Sequence, residues 1–183
     1  KTENGKQYLM AKDEVILPCE EATLVGRHNY MNILAATALA QAVGINLDSI
    51  RTALRHFKGL DHRFQLAYQA NGIRWINDSK ATNVGSTVAA LAGLYVEGKL
   101  HLLLGGDGKG ADFSELAELI NQPHIICYCF GRDGAQLAKL SSQSYLFDTM
   151  EQAIEFLRPT LQSGDMVLLS PACASLDQFT SFE

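Results

Sequence analysis

From residue 64 onward, short and nearly unbroken apolar runs alternate with stretches whose apolar residues recur at helical spacing. Leu100 to Leu104, Ile125 to Phe130, Tyr145 to Phe147 and Met166 to Leu169 have strand length. Between them, Asp112 to Ile120, Gly134 to Leu140 and Thr149 to Leu157 read as helices. Strands that are apolar along their whole length are buried on both faces, so the alternation predicts an α/β fold with a mainly parallel sheet flanked by helices. Phe64 to Tyr68 and Ile73 to Ile76 form a hairpin pair around the turn Asn71-Gly72. Val84, Val88, Leu91 and Leu94 fall at near-helical spacing behind it. Asp112 with Glu115, and Asp148 with Glu151, have the spacing of capping boxes with Asp as the capping residue.

Ahead of this region, Gln7 to Met10 and Val15 to Leu17 read as short strands, and Asn29 to Val43 as an Ala-rich helix stopped at Gly44. Asp48 is the expected cap of a helix whose Ile50, Ala53, Leu54 and Phe57 share a face. The segment Lys58 to Arg63 reads as a linker, which divides the chain into residues 1–58 and 59–183. The chain opens on a turn signal, Lys1 to Lys6, and stops at Ser181-Phe182-Glu183 without a helix-stopping signal, so a longer gene product is expected.

A chain of 183 residues with 47% hydrophobic content buries a real core in one domain, or in one domain plus part of another. Its net charge of -5 and lack of any Lys/Arg-rich run argue against a nucleic-acid surface. No apolar stretch reaches the roughly 20 residues that span a bilayer, so no membrane insertion is expected. Cys19, Cys127, Cys129 and Cys173 show no C-x-x-C pairing. Cys127 and Cys129 share a face of an apolar strand, which favours buried thiols in a reducing compartment over a metal site or disulfide.

Chemistry collects in the loops after the strands, where open α/β sheets hold ligands. Asp78-Ser79-Lys80-Ala81-Thr82-Asn83 places two charges, two hydroxyls and an amide between a strand and a helix. Helix capping accounts for one such polar residue but not for Lys80, whose ammonium the positive end of the helix dipole would repel. An anionic ligand or a partner carboxylate answers that charge. Gly105-Gly106-Asp107-Gly108-Lys109-Gly110, Gly131-Arg132-Asp133-Gly134 and Ser170-Pro171-Ala172-Cys173-Ala174-Ser175 lie at the same expected edge. The glycine loop fails as a Walker A motif, because Gly110 follows Lys109 and Leu103 holds the earlier glycine position. Gly106, Gly108 and Ala111 satisfy G-x-G-x-x-A, which leaves open a nucleotide-cofactor oxidoreductase. Purely structural glycines would explain the turn but not Lys109. His101 and His124 read as structural, and His56 as helix surface. Asn29 and Asn32, three apart at a helix start, are placed to face one ligand, with capping as the rival role for Asn29.

Taken in order, His28-Asn29-x-x-Asn32, Leu60-Asp61-His62-Arg63, Asp78-Ser79-Lys80-Ala81-Thr82-Asn83, Gly105-Gly106-Asp107-Gly108-Lys109 and Leu169 to Phe179 resemble the Mur ligases over nearly the whole chain. The histidine-asparagine motif is shared with folylpolyglutamate synthases, whereas the Asp78 to Asn83 run points to the branch of the family that adds D-glutamate. The resemblance implies that residues 1–58 are the end of a central ATPase domain and residues 59–183 most of a Rossmann-like amino-acid-binding domain. It places the family's P-loop, Mg²⁺ ligands and carbamylated lysine ahead of Lys1, so this chain alone is expected to be inactive.

In the reaction implied by the resemblance, ATP phosphorylates the carboxylate of UDP-N-acetylmuramoyl-L-alanine, and D-glutamate attacks the acyl phosphate to form an amide in peptidoglycan precursor synthesis, a cytoplasmic process. Asn29 and Asn32 would contact the nucleotide, and Arg63 and Asp78 would approach ATP. Lys80, Thr82, Lys109, Ser175, Leu176 and Phe182 would surround D-glutamate, with Lys80 and Arg63 taking part in the chemistry. A noncatalytic α/β module binding a small dicarboxylate is the other reading.

Overall fold

The computed structural model describes every residue except Asn4, Thr23, Val25, Gly26 and Ser181 to Glu183. The chain divides into two compact units, Lys1–Leu60 and Asp61–Glu183. No helix among the described residues is long and apolar enough to cross a membrane.

The first unit pairs β1 (Thr2–Glu3), β2 (Lys6–Ala11) and β3 (Glu14–Pro18) in an antiparallel sheet, followed by α1 (Arg27–Ala42) and α2 (Leu47–His56). Leu9, Ile16, Leu17, Cys19, Ala22 and Ile33 form its buried core. The helix α2 is capped by Asn46, whose side-chain oxygen accepts the Ser49 N–H at 2.9 Å, and not by Asp48 as expected. The chain already turns helical at Leu47, which puts Asp48 inside the first turn. There its carboxylate pairs with Arg51 at 2.7 Å.

The second unit is built on a six-stranded sheet of β4 (Gln65–Ala70), β5 (Ile73–Asn77), β6 (Leu100–Gly105), β7 (Ile125–Phe130), β8 (Ser144–Phe147) and β9 (Met166–Leu169), in the order β4-β5-β9-β6-β7-β8. Only the edge pair β4–β5 is antiparallel; β5–β9, β9–β6, β6–β7 and β7–β8 are parallel. This is the expected α/β, mainly parallel, Rossmann-like arrangement. Even-numbered residues of β6 (Leu100, Leu102, Leu104) pack with Cys127, Cys129, Met166 and Leu168 against α3 (Val84–Leu91), α4 (Ala117–Ile120) and α5 (Gly134–Ala138). On the other face, Leu103, Tyr128, Phe130 and Val167 pack with Ala153 and Leu157 of α6 (Met150–Leu157). Period-two burial with helices on both faces is what a continuously apolar strand requires.

Two capping expectations are corrected. The carboxylate of Asp112 accepts both the amide and the hydroxyl of Ser114, at 2.9 Å each. It therefore never reaches the amide three residues on, and the segment forms a 3₁₀ turn, Ser114–Leu116, before the short α4. At α6 the capping box belongs to Thr149 and Gln152, one residue later than Asp148 and Glu151. Thr149 has the extended backbone of a cap (φ -129, ψ 159), and its hydroxyl accepts the Gln152 N–H at 3.3 Å.

The structural reading of His101 holds. It is buried, with Nδ1 2.8 Å from the Tyr128 hydroxyl and Nε2 3.2 Å from Asp165 Oδ2. Burial lowers the imidazole pKa, and the nearby Asp165 carboxylate only partly opposes this. Burial also raises the carboxyl of Asp165, but hydrogen bonds from the Lys99 and Gln162 amides and from His101 outweigh it and hold the group below its ordinary value.

Candidate functional site

The strand β9 lies between β5 and β6 although it comes last in sequence, so the chain leaves β5 through α3 and passes over the place of β9 to reach β6. Strand order of this kind opens a crevice at the carboxyl ends of the strands. A cavity of about 340 Å³ lies there, lined by His62, Asn77, Ser79, the Gly105-Gly106 turn, Ser175, Asp177 and Gln178, among others.

The polar run after β5 has divided duties. Asn83 caps α3, accepting the Ser86 N–H at 2.9 Å. Asp78 is buried, 8% exposed, and its two oxygens accept the Phe64 N–H at 3.0 Å and the Ser170 hydroxyl at 2.9 Å. This carboxylate ties the loops around β4, β5 and β9 together. Asn77 Oδ1 accepts the Ser79 N–H at 3.1 Å, its Nδ2 is 3.1 Å from His62 Nδ1, and the Lys80 N–H donates to the His62 carbonyl at 3.1 Å. His62 and Phe64 both hold positive φ, 64° and 47°, a conformation that costs energy for residues with a side chain. The bonds to Asp78, Asn77 and Lys80 hold that backbone in place.

The glycine turn after β6 is set by close backbone approach. A Cβ on Gly105 would run into the Phe130 carbonyl, and one on Gly106 into the Ala174 carbonyl. Asp107 pairs with Ala174 in an isolated antiparallel bridge, with N–H···O distances of 2.8 and 2.9 Å. The amides that a dinucleotide fingerprint would offer to a pyrophosphate are already engaged. The Gly108 N–H donates to Asp133 Oδ2 at 2.7 Å and the Lys109 N–H to Asp107 Oδ1 at 2.9 Å. The next helical residue is Ser114, so the turn opens no helix.

Arg63, Lys80, Thr82, Lys109 and Leu176 are exposed at this edge of the sheet, and Ser175 is half-buried and lines the cavity. Asn29 and Asn32 lie one turn apart on α1 of the first unit, the former half-buried and the latter exposed. Phe182 lies outside the described residues. Sequence reasoning assigned no site role to His62, Asn77, Arg132, Asp133, Asp177 or Gln178. The available signal was the motif context itself: Arg132 and Asp133 sit in a glycine-bounded loop, and Asp177-Gln178 directly follow Ser175-Leu176.

All four cysteines are buried, and the burial of Cys127 and Cys129 on one face of their apolar strand is what the sequence predicted. Burial, followed by the carboxylates of Asp133, Asp177 and Asp107, pushes the Cys173 thiol up to about 12. It is therefore a buried, protonated thiol behind the Gly106 turn.

The model of the Mur ligase family's glutamate ligase domain matches residues 62–173, well over half of the chain. The chain is 96% identical over all 183 residues to a UDP-N-acetylmuramoylalanine–D-glutamate ligase from Haemophilus influenzae strain PittGG, and 78% identical over the same span to the ligase of that name from Mannheimia succiniciproducens. It spans 42% of the length of each of these relatives. Among solved structures, a pseudomurein peptide ligase type C from Methanothermus fervidus superposes with a TM-score of 0.70 at 21% identity, over 92% of this chain and 37% of that one, and so supports the fold. With its sheet, its edge loops and this match in agreement, the chain belongs to the Mur ligase family.

Proposed function

We propose that residues 59–183 receive the amino acid in an ATP-dependent amide-forming ligase that joins D-glutamate to UDP-N-acetylmuramoyl-L-alanine, with residues 1–58 as the end of its ATPase domain. One observation carries the reading: two exposed lysines, Lys80 after β5 and Lys109 after β6, stand on loops at the same carboxyl edge of the sheet as the cavity holding Ser175. Glutamate presents two carboxylates, and two ammonium groups on separate loops answer them with charge-assisted hydrogen bonds. Thr82 and Ser175 add hydroxyls, and Leu176 and Phe182 complete the amino-acid side. The names of the relatives at 96% and 78% identity agree with this substrate.

Bound ATP supplies the phosphoryl group that activates the acceptor carboxylate. On this chain, Asn29 and Asn32 present amides to the nucleotide, and the Arg63 guanidinium stands against phosphate charge. Asp78, with both oxygens engaged, acts through the backbone it fixes beside Arg63. Lys80 serves both sides, opposing the amino acid's charge and the charge that develops as the amine attacks. Among the described residues no three His, Cys, Asp or Glu side chains group to hold a metal, so no Mg²⁺ ligand is assigned here. The nucleotide substrates and the reduced thiols fit a cytoplasmic enzyme.

The test is steady-state kinetics with D-glutamate varied, in a full-length ligase containing this chain. Lys80→Ala and Lys109→Ala should each remove a charged partner worth about 1.5–3 kcal/mol. That is a loss of roughly ten- to a hundredfold in kcat/KM for D-glutamate. Unchanged constants in both variants, with folding intact, would remove these lysines from the site.

A further inference from the structure

We propose that Asp107, Arg132, Asp133 and Asp177 are positioning residues, which lock the turn carrying Lys109 to the segment carrying Ser175 and so fix the spacing of the two groups that grip the amino acid. The inference rests on the reading of Lys109 and Ser175 just given, and adds the residues that hold them in place. Lys109 has a positive φ of 54°, which its own side chain disfavours. Two carboxylates from different loops hold that backbone: Asp107 Oδ1 takes the Lys109 N–H at 2.9 Å, and Asp133 Oδ2 takes the Gly108 N–H at 2.7 Å.

Both carboxylates are fixed in turn. The second oxygen of Asp107 pairs with Arg132 Nη1, and that of Asp133 accepts the Gln136 side-chain amide at 2.9 Å. The Arg132 N–H donates to Asp177 Oδ2 at 2.9 Å, two residues beyond Ser175, while the backbone of Asp107 bridges Ala174, the residue before Ser175. Three loops thus meet on one arginine and three carboxylates. Space is made for the contact by Gly131, where a Cβ would come within 2.5 Å of Asp177 Oδ2.

Among the described residues, Asp177 Oδ1 is buried with no hydrogen-bond partner. A half-satisfied buried carboxylate is unfavourable for stability alone, which points to a placement maintained for the site. The cluster also explains why an exposed lysine needs support. A long, flexible side chain delivers a useful ammonium only if its Cα is held still, and a displacement of about 1 Å can cost a hundredfold.

The experiment uses a full-length ligase containing this chain, with Asp133→Ala, Asp133→Asn, Arg132→Ala and Arg132→Lys beside Lys109→Ala. Two readouts are taken: hydrogen exchange of the Gly108 and Lys109 amides, and steady-state constants with D-glutamate and then ATP varied. Asp133→Ala and Arg132→Ala should speed exchange at both amides and raise KM for D-glutamate by between about tenfold and a hundredfold, leaving KM for ATP within about twofold. Asp133→Asn, which keeps an acceptor for the Gly108 amide, and Arg132→Lys, which keeps a cation beside Asp107, should recover most of the loss. If Lys109→Ala raises KM for D-glutamate while the alanine variants at Asp133 and Arg132 do not, the positioning role is wrong. If Lys109→Ala itself has no effect, the reading of the site fails first, whatever the amides show. Should an alanine variant fail to fold, its conservative partner decides: wild-type constants with fast exchange would overturn the proposal.

Discussion

The two units of this chain differ in how completely their cores are buried. In Asp61–Glu183, every residue of β6 is buried and both faces of the sheet are covered, so Leu102, Leu104 and Leu168 are 0% exposed. In Lys1–Leu60, the core rests on a few residues around β2, β3 and α1, while Leu39 of α1 and Val43 just after it are 71% and 78% exposed. Apolar burial is the main favourable term in folding, and it has to offset the entropy of ordering the chain. The second unit has the surplus of burial needed to hold charges in unusual places, such as Asp78 under Phe64 and Ser170. The first has less, and its shorter helix α2 adds polar ties, with Arg51 reaching the Ile16 carbonyl and Arg55 pairing with Glu21.

The sharpest way to break the comparison is to truncate one leucine in each unit. Leu102→Ala should destabilise the second unit by about 2–5 kcal/mol, since its neighbours are fixed and the cavity cannot collapse. Leu39→Ala should change the first unit by no more than about 0.5 kcal/mol, and alanine's higher helix propensity offsets part of even that. The measurement is built in. The single tryptophan, Trp75, lies on β5 of the second unit, so its fluorescence follows that unit in urea. Equal shifts for the two variants would show that the units do not differ as their burial implies.

A smaller effect separates the units by pH. His101 in the second unit has its pKa lowered by burial, so the folded state refuses a proton that the unfolded chain accepts near the ordinary value of 6.5. The unfolded state then binds more protons, and stability falls as pH drops from about 6.5 through the lowered folded value. Asp165 acts in the same direction at lower pH: its carboxyl is held below the ordinary 3.8, so its contribution is lost only on further acidification. Urea midpoints read from Trp75 should decline between pH 8 and pH 5 in the native chain and stay nearly flat in His101→Gln. In the first unit His56 is exposed, and its ring Nδ1 lies 2.7 Å from the Thr52 carbonyl of its own helix. A midpoint that rises on acidification would mean that Asp165 charges His101 and that burial does not dominate.

What was legible in the sequence follows from the range of the interaction. Strand runs, the Asn71-Gly72 hairpin and the parallel sheet are set by local pattern, and all were readable. The insertion of β9 between β5 and β6 depends on pairing across the whole unit, and no local signal carries it. Within the site, Lys80 and Lys109 stood out because a cation in such a turn conflicts with local logic. The partners that hold the site did not stand out, since Asp78 meets Ser170 across 92 residues, and Arg132 meets Asp107 across 25 and Asp177 across 45. The caps missed by one or two residues because several acceptors stood side by side, and backbone geometry, not residue type, chose among them.

Those caps give the finest comparison. Thr149→Ala removes a hydroxyl that accepts the Gln152 amide and disables a reciprocal capping box, and should cost about 1 kcal/mol. Asn46→Ala, in the first unit, removes the bond to the Ser49 amide and should cost a similar amount. Asp148→Ala and Asp48→Ala, the neighbours that composition alone would favour, should each cost less than about 0.5 kcal/mol, because neither caps and the pair of Asp48 with Arg51 is solvent-exposed on the carboxylate side. Equal energies need not give equal midpoints. The shift in urea midpoint is the energy divided by the slope m, and m grows with the surface exposed on unfolding. The smaller unit has the smaller slope, so Asn46→Ala should move the transition followed by helical circular dichroism further than Thr149→Ala moves the Trp75 transition. If the two variants shift a single common midpoint by the same amount, the units unfold as one cooperative block, and the contrast in burial does not extend to their stability.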